Sequence, residues 1–330
     1  MRVSRIATRL RGHRAGFTLL ELLVAVAGLV LLTVMLFSVL SQLSSGWQVA
    51  RSGIETRQKG RDIMDFMARE LQSAALPADL TSKTGLQFLV DPTQIDASYL
   101  RPHALFWQAP VATDRTYGTM AEVGYFVRWD TTTNPKTPHA ILCRLFVNPE
   151  NPSSLQNYLI DSQPAEWLSP GGNAKWLDTV APGDASSNYK GWFVDNVIAL
   201  WVRCLDASGN AITRQPKPGT STLSTTNYAY DSRSGYQTAA GMIKNGYRDS
   251  SGNYRTVCTL PATVELALVV IDSNTAGRVK PSDLAALQNY NSADPRNFSQ
   301  EIDAYLNQLP PSIRSGARVY TSTVNLQNAK

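Results

Sequence analysis

The chain has few residues of the kinds that catalysis and metal binding require. It contains three histidines in 330 residues, and its three cysteines show no C-x-x-C or other metal-ligand spacing: Cys143, Cys204 and Cys258. No nucleophile elbow, zinc-protease motif, phosphate-binding loop or dinucleotide fingerprint is present. We therefore expect no enzyme, no catalytic residue, no cofactor and no metal site. One disulfide with a spare thiol, or three reduced and buried thiols, fit the sequence equally well.

The positive charge of the chain is concentrated in its first residues. The chain has 31 Lys and Arg against 26 Asp and Glu, which gives a formal net charge of +5. Five arginines lie in residues 1–16, where there is no acidic residue, so the remaining chain has 26 basic and 26 acidic side chains. The basic character therefore belongs to a targeting segment, and we expect no nucleic-acid partner.

Residues 17–40 form an apolar run in which Glu21 is the only charged residue. At about 1.5 Å per residue, a helix of this length crosses a bilayer. The run is longer than a signal-peptide core, and no small-residue cleavage context follows it. A membrane anchor with the arginines on the cytoplasmic side fits these features. We predict a single-pass membrane helix.

The carboxylate of Glu21 separates an ordinary anchor from a more specific hypothesis. A charge inside hydrocarbon costs about 2.5 kcal/mol or more, so it needs a partner or must reach the interface alone. Residues 16–21, GFTLLE, resemble the N-terminal signature of type IV prepilins. The resemblance implies cleavage between Gly16 and Phe17, N-methylation of Phe17, and pairing of Glu21 with the Phe17 ammonium of a neighbouring subunit.

The same resemblance implies partners and a location. The partners would be a prepilin peptidase, other pilin-like subunits and an inner-membrane assembly platform. The head would lie in the periplasm or outside the cell, and the subunit would join a type II secretion pseudopilus or a type IV pilus-like fibre. A large head crowds a fibre shaft, which favours a low-copy or tip position. The alternative is a membrane-anchored adhesin or glycan-binding module.

The pattern along the chain predicts an α+β protein with four parts. These are a leader (1–16), a transmembrane helix (17–40), an amphipathic continuation (41–76) ended by Pro77, and a β-rich head (77–330). Apolar residues recur at helical spacing in the continuation: Leu43, Trp47, Ile54, Met64, Met67 and Leu71. Seven β-like runs are expected in the head: Leu86–Val90, Ala104–Gln108, Val123–Trp129, Ile141–Val147, Val194–Leu205, Val264–Ile271 and Arg318–Leu326.

Polar and helical insertions are expected between these runs. Residues 207–255 are predicted as a surface insertion, with turns at 206–210 and 249–253 that close hairpins. These turns carry many oxygens that suit calcium, although we favour bare turns. Residues 281–309 are predicted to be helical, with three candidate N-caps: Ser282 or Asp283 for the first segment, and Ser299 for Gln300–Leu309.

The order of strands in the head extends the resemblance. Tyr125 with its flanks, then residues 192–203 and 260–266, resemble the strand order of minor pseudopilin J of type II secretion. The long polar insertions also resemble the prepilin-like Verru_Chthon cassette protein C group. His103 and His139 are expected to be surface or satisfied core residues. Four tryptophans suit a glycan platform but are expected in the core: Trp167, Trp176, Trp192 and Trp201.

Overall fold

The computed structural model describes residues 18–75, 88–91, 101–131, 136–148, 190–213, 230–232, 236–238, 243–244, 246–248, 254–256, 260–288 and 298–327. Helices and antiparallel sheets are both present, and a long apolar helix comes first, so the predicted α+β class is confirmed. The chain divides into two compact units, Met1–Arg51 and Ser52–Lys330.

Helix α1 (Leu19–Gln72) begins in the first unit with the apolar segment. The stretch Leu19–Ser44 has 26 residues and a mean hydropathy of 2.8, and none of it is buried. It is therefore long and apolar enough to cross a membrane. Two of its hydroxyl groups bond to the helix itself: Thr33 Oγ1 donates to the Leu29 carbonyl at 2.7 Å and Ser38 Oγ to the Met35 carbonyl at 2.8 Å. The helix continues unbroken through Ser38.

Two antiparallel sheets form the framework of the second unit. The larger one has six strands in the spatial order β5-β4-β3-β2-β1-β8, and the smaller one has the order β14-β13-β6. The larger sheet consists of β1 (Phe88–Val90), β2 (Leu105–Ala109), β3 (Ala121–Asp130), β4 (His139–Val147), β5 (Lys190–Asp195) and β8 (Tyr230–Asp231). The smaller one consists of β6 (Val197–Leu205), β13 (Thr263–Ile271) and β14 (Ala317–Asn325). All seven predicted runs lie on these strands.

The run Val194–Leu205 was predicted as one strand, and this is wrong. Asn196 has a φ of 68° and separates β5 from β6, which belong to different sheets. Asparagine tolerates this left-handed conformation better than most residues. The Asn196 N–H donates to the Ala140 carbonyl at 2.8 Å, and the Ile271 N–H donates to the Asn196 carbonyl at 2.9 Å. The chain therefore crosses from the larger sheet to the smaller sheet at Asn196.

The polar stretch 207–255 is only in part a surface insertion. It contains β7 (Ile212–Thr213), β9 (Tyr236–Thr238), β10 (Ile243–Lys244) and the hairpin of β11 (Gly246–Arg248) with β12 (Tyr254–Thr256). Tyr230 on β8, however, is buried and pairs with Val90 at the edge of the larger sheet. The prediction of a surface insertion is therefore wrong for this strand, which extends the main sheet.

The turn at 206–210 has the predicted chemistry. Asp206 Oδ1 accepts the N–H groups of Ser208 and Asn210, both at 2.9 Å, and Gly209 has a φ of 78°. The turn joins β6 to β7, beside a bridge between Leu205 and Ala211. Residues 249–253 lie outside the described residues, but the strands on either side pair as the predicted hairpin requires.

The smaller sheet is covered on both faces. Along β13, Leu266 and Leu268 point into a core shared with α1 and the larger sheet, whereas Ala267 and Val269 point into a second core. Helices cover the second core: α2 (Ser273–Ala276), α3 (Leu284–Gln288), α4 (Phe298–Gln308) and α5 (Pro311–Arg314), with a 3₁₀ turn at Pro281–Asp283. The predicted helical insertion 281–309 is therefore helical at residues 281–288 and 298–308, and residues 289–297 lie outside the described residues.

The predicted caps of these helices are wrong in detail. The N-cap of the 3₁₀ turn is Lys280 rather than Ser282 or Asp283, and the Asp283 carboxylate accepts the Lys280 N–H at 2.9 Å from the third position. Helix α4 already begins at Phe298, so Ser299 lies inside its first turn. A carboxylate in the third helical position can accept the backbone N–H of the N-cap residue, so a residue inside the helix forms part of the cap.

The predicted amphipathic face of α1 is buried only in its last part. Met64, Met67 and Leu71 are buried as expected, together with Ile63, Thr56 and Gly60. The other three apolar residues at this spacing, Leu43, Trp47 and Ile54, are exposed. The helix ends at Gln72, before the predicted Leu76.

Gly60 allows α1 to approach β14 closely. A Cβ at residue 60 would lie 2.3 Å from the Tyr320 ring, and the Tyr320 hydroxyl donates to the Thr56 carbonyl at 3.0 Å. At Gly53, by contrast, a Cβ would have nothing within 4 Å. A Cβ at residue 60 would therefore force the Tyr320 ring to shift, whereas a Cβ at residue 53 would not.

The Gly60→Ala substitution is expected to lower the free energy of unfolding by about 1–3 kcal/mol, because the Tyr320 ring must move and its hydrogen bond is lost. Gly53→Ala is the matched control and should leave stability unchanged or raise it by up to about 1 kcal/mol, since alanine favours the helix. Denaturation of the full chain in detergent measures both. Equal effects of the two substitutions would contradict this packing role.

Candidate functional site

Of the residues that the sequence predicts to be functional, Glu21 lies in the first turn of α1, whereas Gly16 and Phe17 lie outside the described residues. The Glu21 carboxylate oxygen Oε2 accepts two hydrogen bonds from Thr18, from its backbone N–H at 3.0 Å and its hydroxyl at 3.1 Å. The Glu21 N–H donates to Thr18 Oγ1 at 3.3 Å. Thr18 and Glu21 therefore form a capping box at the helix N-terminus.

The capping box gives Glu21 a role within a single chain. It satisfies backbone groups that the first helical turn leaves open, and it places a negative charge at the positive end of the helix. The pattern Thr-x-x-Glu at 18–21 is a known sequence sign of this cap, although the sequence reasoning did not use it. Any test of Glu21 must therefore separate its charge from its capping function.

A second polar cluster fixes the last turns of α1 against the larger sheet. The Arg144 guanidinium on β4 binds Glu70 of α1 through two nitrogens, and its Nε lies 3.1 Å from Glu70 Oε2. The Tyr125 hydroxyl on β3 donates to the same carboxylate oxygen. Burial, together with the negative charge of Glu70, raises the pKa of Tyr125 far above its usual value. The phenol therefore remains a donor at any physiological pH.

Aromatic rings surround this cluster. The Arg144 guanidinium lies over the Phe146 ring at 4.2 Å, and the ring centroids of Phe66 and Phe193 are 5.3 Å apart. The Tyr125 ring meets Phe193 edge-on at 5.9 Å. Because the rings exclude water, the ion pair acts in a weaker dielectric than a surface pair. These contacts hold α1 to the sheet.

An open groove of about 540 Å³ lies beside this contact, between α1 and β5. Its lining residues are Glu55, Gln58, Lys59, Asp62, Ile63, Phe66, Phe193 and Val194. Trp192 of β5 is 58% exposed and donates from its indole nitrogen to Asp195 Oδ1. Trp192 was predicted to lie in the core, and this is wrong. Trp201 was also predicted to lie in the core, and it is buried against Tyr305. Trp167 and Trp176 lie outside the described residues.

The two histidines differ in their surroundings. His103 is buried, and its Nδ1 lies 2.5 Å from Asp91 Oδ2, while Asp91 Oδ1 accepts the Ala104 N–H at 2.7 Å. Burial raises the pKa of Asp91, and the contact with His103 acts in the opposite direction. His103 is thus a satisfied core residue, as expected. His139 is half-buried at the start of β4.

Strand β13, which includes part of the stretch 260–266, forms an ion pair with the neighbouring strand β6. Glu265 on β13 stands opposite Arg203 on β6, and their side chains form a salt bridge. The Arg203 guanidinium also lies 4.9 Å from the Phe298 ring centroid. Arg203 therefore contacts both Glu265 of β13 and Phe298, the first residue of α4. Cys143 and Cys204 are buried on β4 and β6, and Cys258 lies outside the described residues.

Among the residues that the structure describes, no group of three or more His, Cys, Asp or Glu side chains is arranged to hold a metal ion. No family model, curated protein or solved structure matches the chain. The functional argument therefore rests on the residues of this chain.

We expect Glu70→Leu to release the last turns of α1 from the sheet. The substitution leaves the largely buried Arg144 charge without its partner, at a cost of about 2–3 kcal/mol after allowance for partial exposure. Hydrogen exchange should accelerate in residues 56–71. Adding Arg144→Met should recover part of the loss, because the unpaired charge is then removed.

The control for this prediction is Glu265→Leu, which breaks the Arg203 pair on the smaller sheet. It should destabilise the chain without selectively accelerating exchange in residues 56–71. Unchanged exchange there in Glu70→Leu would contradict a docking role for the Glu70 cluster.

Proposed function

We propose that the chain is a pilin-like minor subunit, cleaved by a prepilin peptidase and assembled into a type II secretion pseudopilus or a type IV pilus-like fibre. The observation that carries the proposal is a carboxylate, Glu21, in the first turn of a helix apolar enough to cross a membrane, directly after the Gly16-Phe17 dipeptide. On this proposal the function is assembly, and no chemistry is required of the head.

The charge of Glu21 supports assembly because α1 provides little to neutralise it. The next basic residue after Glu21 is Arg51, thirty residues along the chain and about 45 Å away at the rise of an α-helix. The capping bonds from Thr18 come from neutral groups and leave the carboxylate charged. In an apolar fibre core, the ammonium of a neighbouring Phe17 is the opposite charge that the proposal supplies.

The head supports the same proposal in a less specific way. An N-terminal helix packed through its last turns on antiparallel sheets is the arrangement that the resemblance to minor pseudopilin J implies. The long insertions make this head large, which favours a low-copy or tip position. On this proposal the anchor lies in the inner membrane and the head lies in the periplasm or outside the cell.

The exposed Trp192, which precedes the groove-lining residue Phe193 in the chain, favours one alternative, an anchored adhesin or glycan-binding module. Exposed tryptophan rings commonly bind amphipathic ligands. This alternative needs the anchor but not the charge of Glu21 or a processed N-terminus. The two experiments below therefore separate it from the fibre subunit.

The protein isolated from membranes is expected to begin at N-methylated Phe17. Mass spectrometry of the N-terminal peptide measures both the cut and the added methyl group. Gly16→Val should block the cut, because a peptidase needs close approach to the backbone at this residue. An intact Met1 in the unaltered chain would instead indicate a plain anchor, and a start after residue 40 would indicate ordinary secretion.

Glu21→Gln is expected to reduce incorporation into fibres about tenfold or more, since about 1.4 kcal/mol corresponds to a factor of ten. Glutamine can still accept the bonds from Thr18, so the capping box is kept and only the charge is lost. Thr18→Ala is the matched control: it weakens the cap but keeps the charge, and incorporation should remain close to normal. Leader cleavage should persist in both variants. A Glu21→Gln protein that assembles normally would refute the proposal.

A further inference from the structure

The groove between α1 and β5 has an apolar floor that is held firmly from both sides. On the helix, Ile63 is buried, and the ring of Phe66 packs on that of Phe193 with 5.3 Å between their centroids. On the strand, Phe193 and Val194 are partly buried against the same core as Ile63. All four side chains also line the groove, which is open to solvent. A ligand would therefore meet an apolar surface that is already in place.

A β-bulge in β5 widens this floor. Leu142 and Cys143 are consecutive residues of β4, but their partners in β5 are residues 194 and 192. Phe193 lies between these partners and is the extra residue of the bulge. Neighbouring side chains of a regular strand point to opposite faces, whereas Phe193 and Val194 both line the groove. The bulge therefore gives the groove two successive side chains from one strand.

Lys59 is the one basic residue among the described residues that line the groove, and it is half-buried. Burial lowers the pKa of Lys59 because a buried cation loses hydration, and the charge of Asp195 acts in the opposite direction. Within the described part of the chain, no hydrogen bond or salt bridge reaches the Lys59 ammonium. The fold has therefore removed part of the water around this charge without supplying a partner for it.

The two acidic lining residues, Glu55 and Asp62, are placed differently from Lys59. At about 100° per residue, Lys59 lies between Ile63 and Phe66 around the helix, whereas the two carboxylates lie beyond Phe66 on the solvent side. Both are exposed and keep their hydration, so pairing them with a cation gains little. Pairing Lys59 with an anion instead offsets the cost of its burial. An anionic ligand is therefore the one that this groove favours.

Other charges of the same helix do not line the groove. Arg69 donates from Nε to the Asp65 carbonyl at 3.2 Å, and neither residue is among the described lining residues. The Glu70 carboxylate and the Arg144 guanidinium are paired with each other beneath the aromatic rings. The charges that a ligand meets in the groove are therefore those of the three residues described above.

Strand β5 adds backbone groups to this side-chain surface. It is the last strand of the larger sheet, so among the described strands it has a neighbour, β4, on one side only. The other edge of such a strand has N–H and C=O groups that can pair with an extended peptide. A lipid or a sugar does not present the regular series of backbone groups that matches this edge. The edge therefore favours a polypeptide as the ligand.

We propose that the groove binds an extended segment of another protein in which an acidic side chain stands two residues from an aromatic or branched aliphatic one. Residues two apart in an extended segment share one face, so both side chains enter the groove together. The acidic group pairs with Lys59, and the apolar group packs on Phe66 and Phe193. The inference goes beyond the proposed function, since it concerns a single head and does not depend on leader cleavage or on Glu21.

The test measures binding of the full chain, held in a phosphatidylcholine nanodisc, to an array of short blocked peptides. Three central positions carry every combination of residues, and threonine fills the flanking positions because it favours an extended chain. Bound peptides should be enriched in Asp or Glu two residues from Phe, Tyr, Leu, Ile or Val, above the background of empty nanodiscs. Absence of binding, selection of Lys or Arg peptides, or binding without selection by charge would overturn the inference.

Variants of the lining residues then test the role of charge. Lys59→Gln should weaken binding of the selected acidic peptides about tenfold, because a bond between opposite charges is lost. Binding of the same peptides with Asn or Gln in place of the acid should not change, which also shows that the variant is folded. Lys59→Arg keeps the charge and should retain most of the binding. Asp62→Asn should leave binding equal or strengthen it, and a loss as large as that of Lys59→Gln would contradict an anionic ligand.

Competition distinguishes a polypeptide of another protein from two other occupants. Decanoate has a carboxylate and an apolar chain but no peptide groups, so it should displace the selected peptides only at concentrations well above theirs. Displacement at equal or lower concentrations would identify a lipid-like ligand and overturn the inference. Differently labelled copies of the chain in separate nanodiscs should not bind one another through the groove. Association of these copies that Lys59→Gln abolishes would identify a second copy as the occupant and would also overturn it.

Discussion

The negative charge of Glu21 at the start of an apolar helix constrains the rest of the molecule. Thr18 satisfies the hydrogen-bonding groups of this helix end, but hydrogen bonds from neutral groups do not cancel a charge. Helix α1 offers no basic side chain between Glu21 and Arg51, so on the proposed function, in which the arginines before Phe17 are removed, the opposite charge comes from a neighbouring N-terminus. On the proposed function, this cost is removed when copies meet, and Glu21 then acts in assembly.

Helix α1 uses its side chains differently in the two units. In the first, a continuous apolar surface suits a membrane, and the hydroxyls of Thr33 and Ser38 are satisfied by the helix's own carbonyls. In the second unit, a stripe of buried side chains and the ion pair between Glu70 and Arg144 fix the helix to two sheets. Packing in this unit depends on individual residues, because a Cβ at Gly60 would collide with the Tyr320 ring that lies against the helix.

Sequence patterns predicted the strands well because alternation and β-branched runs mark them directly. The break at Asn196 was missed, since the apolar run passes through it and only the backbone of one residue changes. Helical spacing grouped Ile54 with Met64, but spacing shows which residues share a face and not whether anything covers it. For the same reason the sequence did not separate Trp192 from Trp201. Both belong to the run 192–203, but Trp192 is exposed and Trp201 is buried.

On the proposed function, the contact of Glu21 is directional, because the N-terminus of one subunit meets the carboxylate of another. Neutralising Glu21 in an apolar core removes a penalty of about 2.5 kcal/mol or more, so the same contact favours association as well as orientation. The Glu70 cluster acts in the second unit, where it fixes the last turns of α1 to the larger sheet. A mutation of Glu70 therefore changes how firmly the helix is held on its sheet, whereas a mutation of Glu21 changes the charge at the start of the helix.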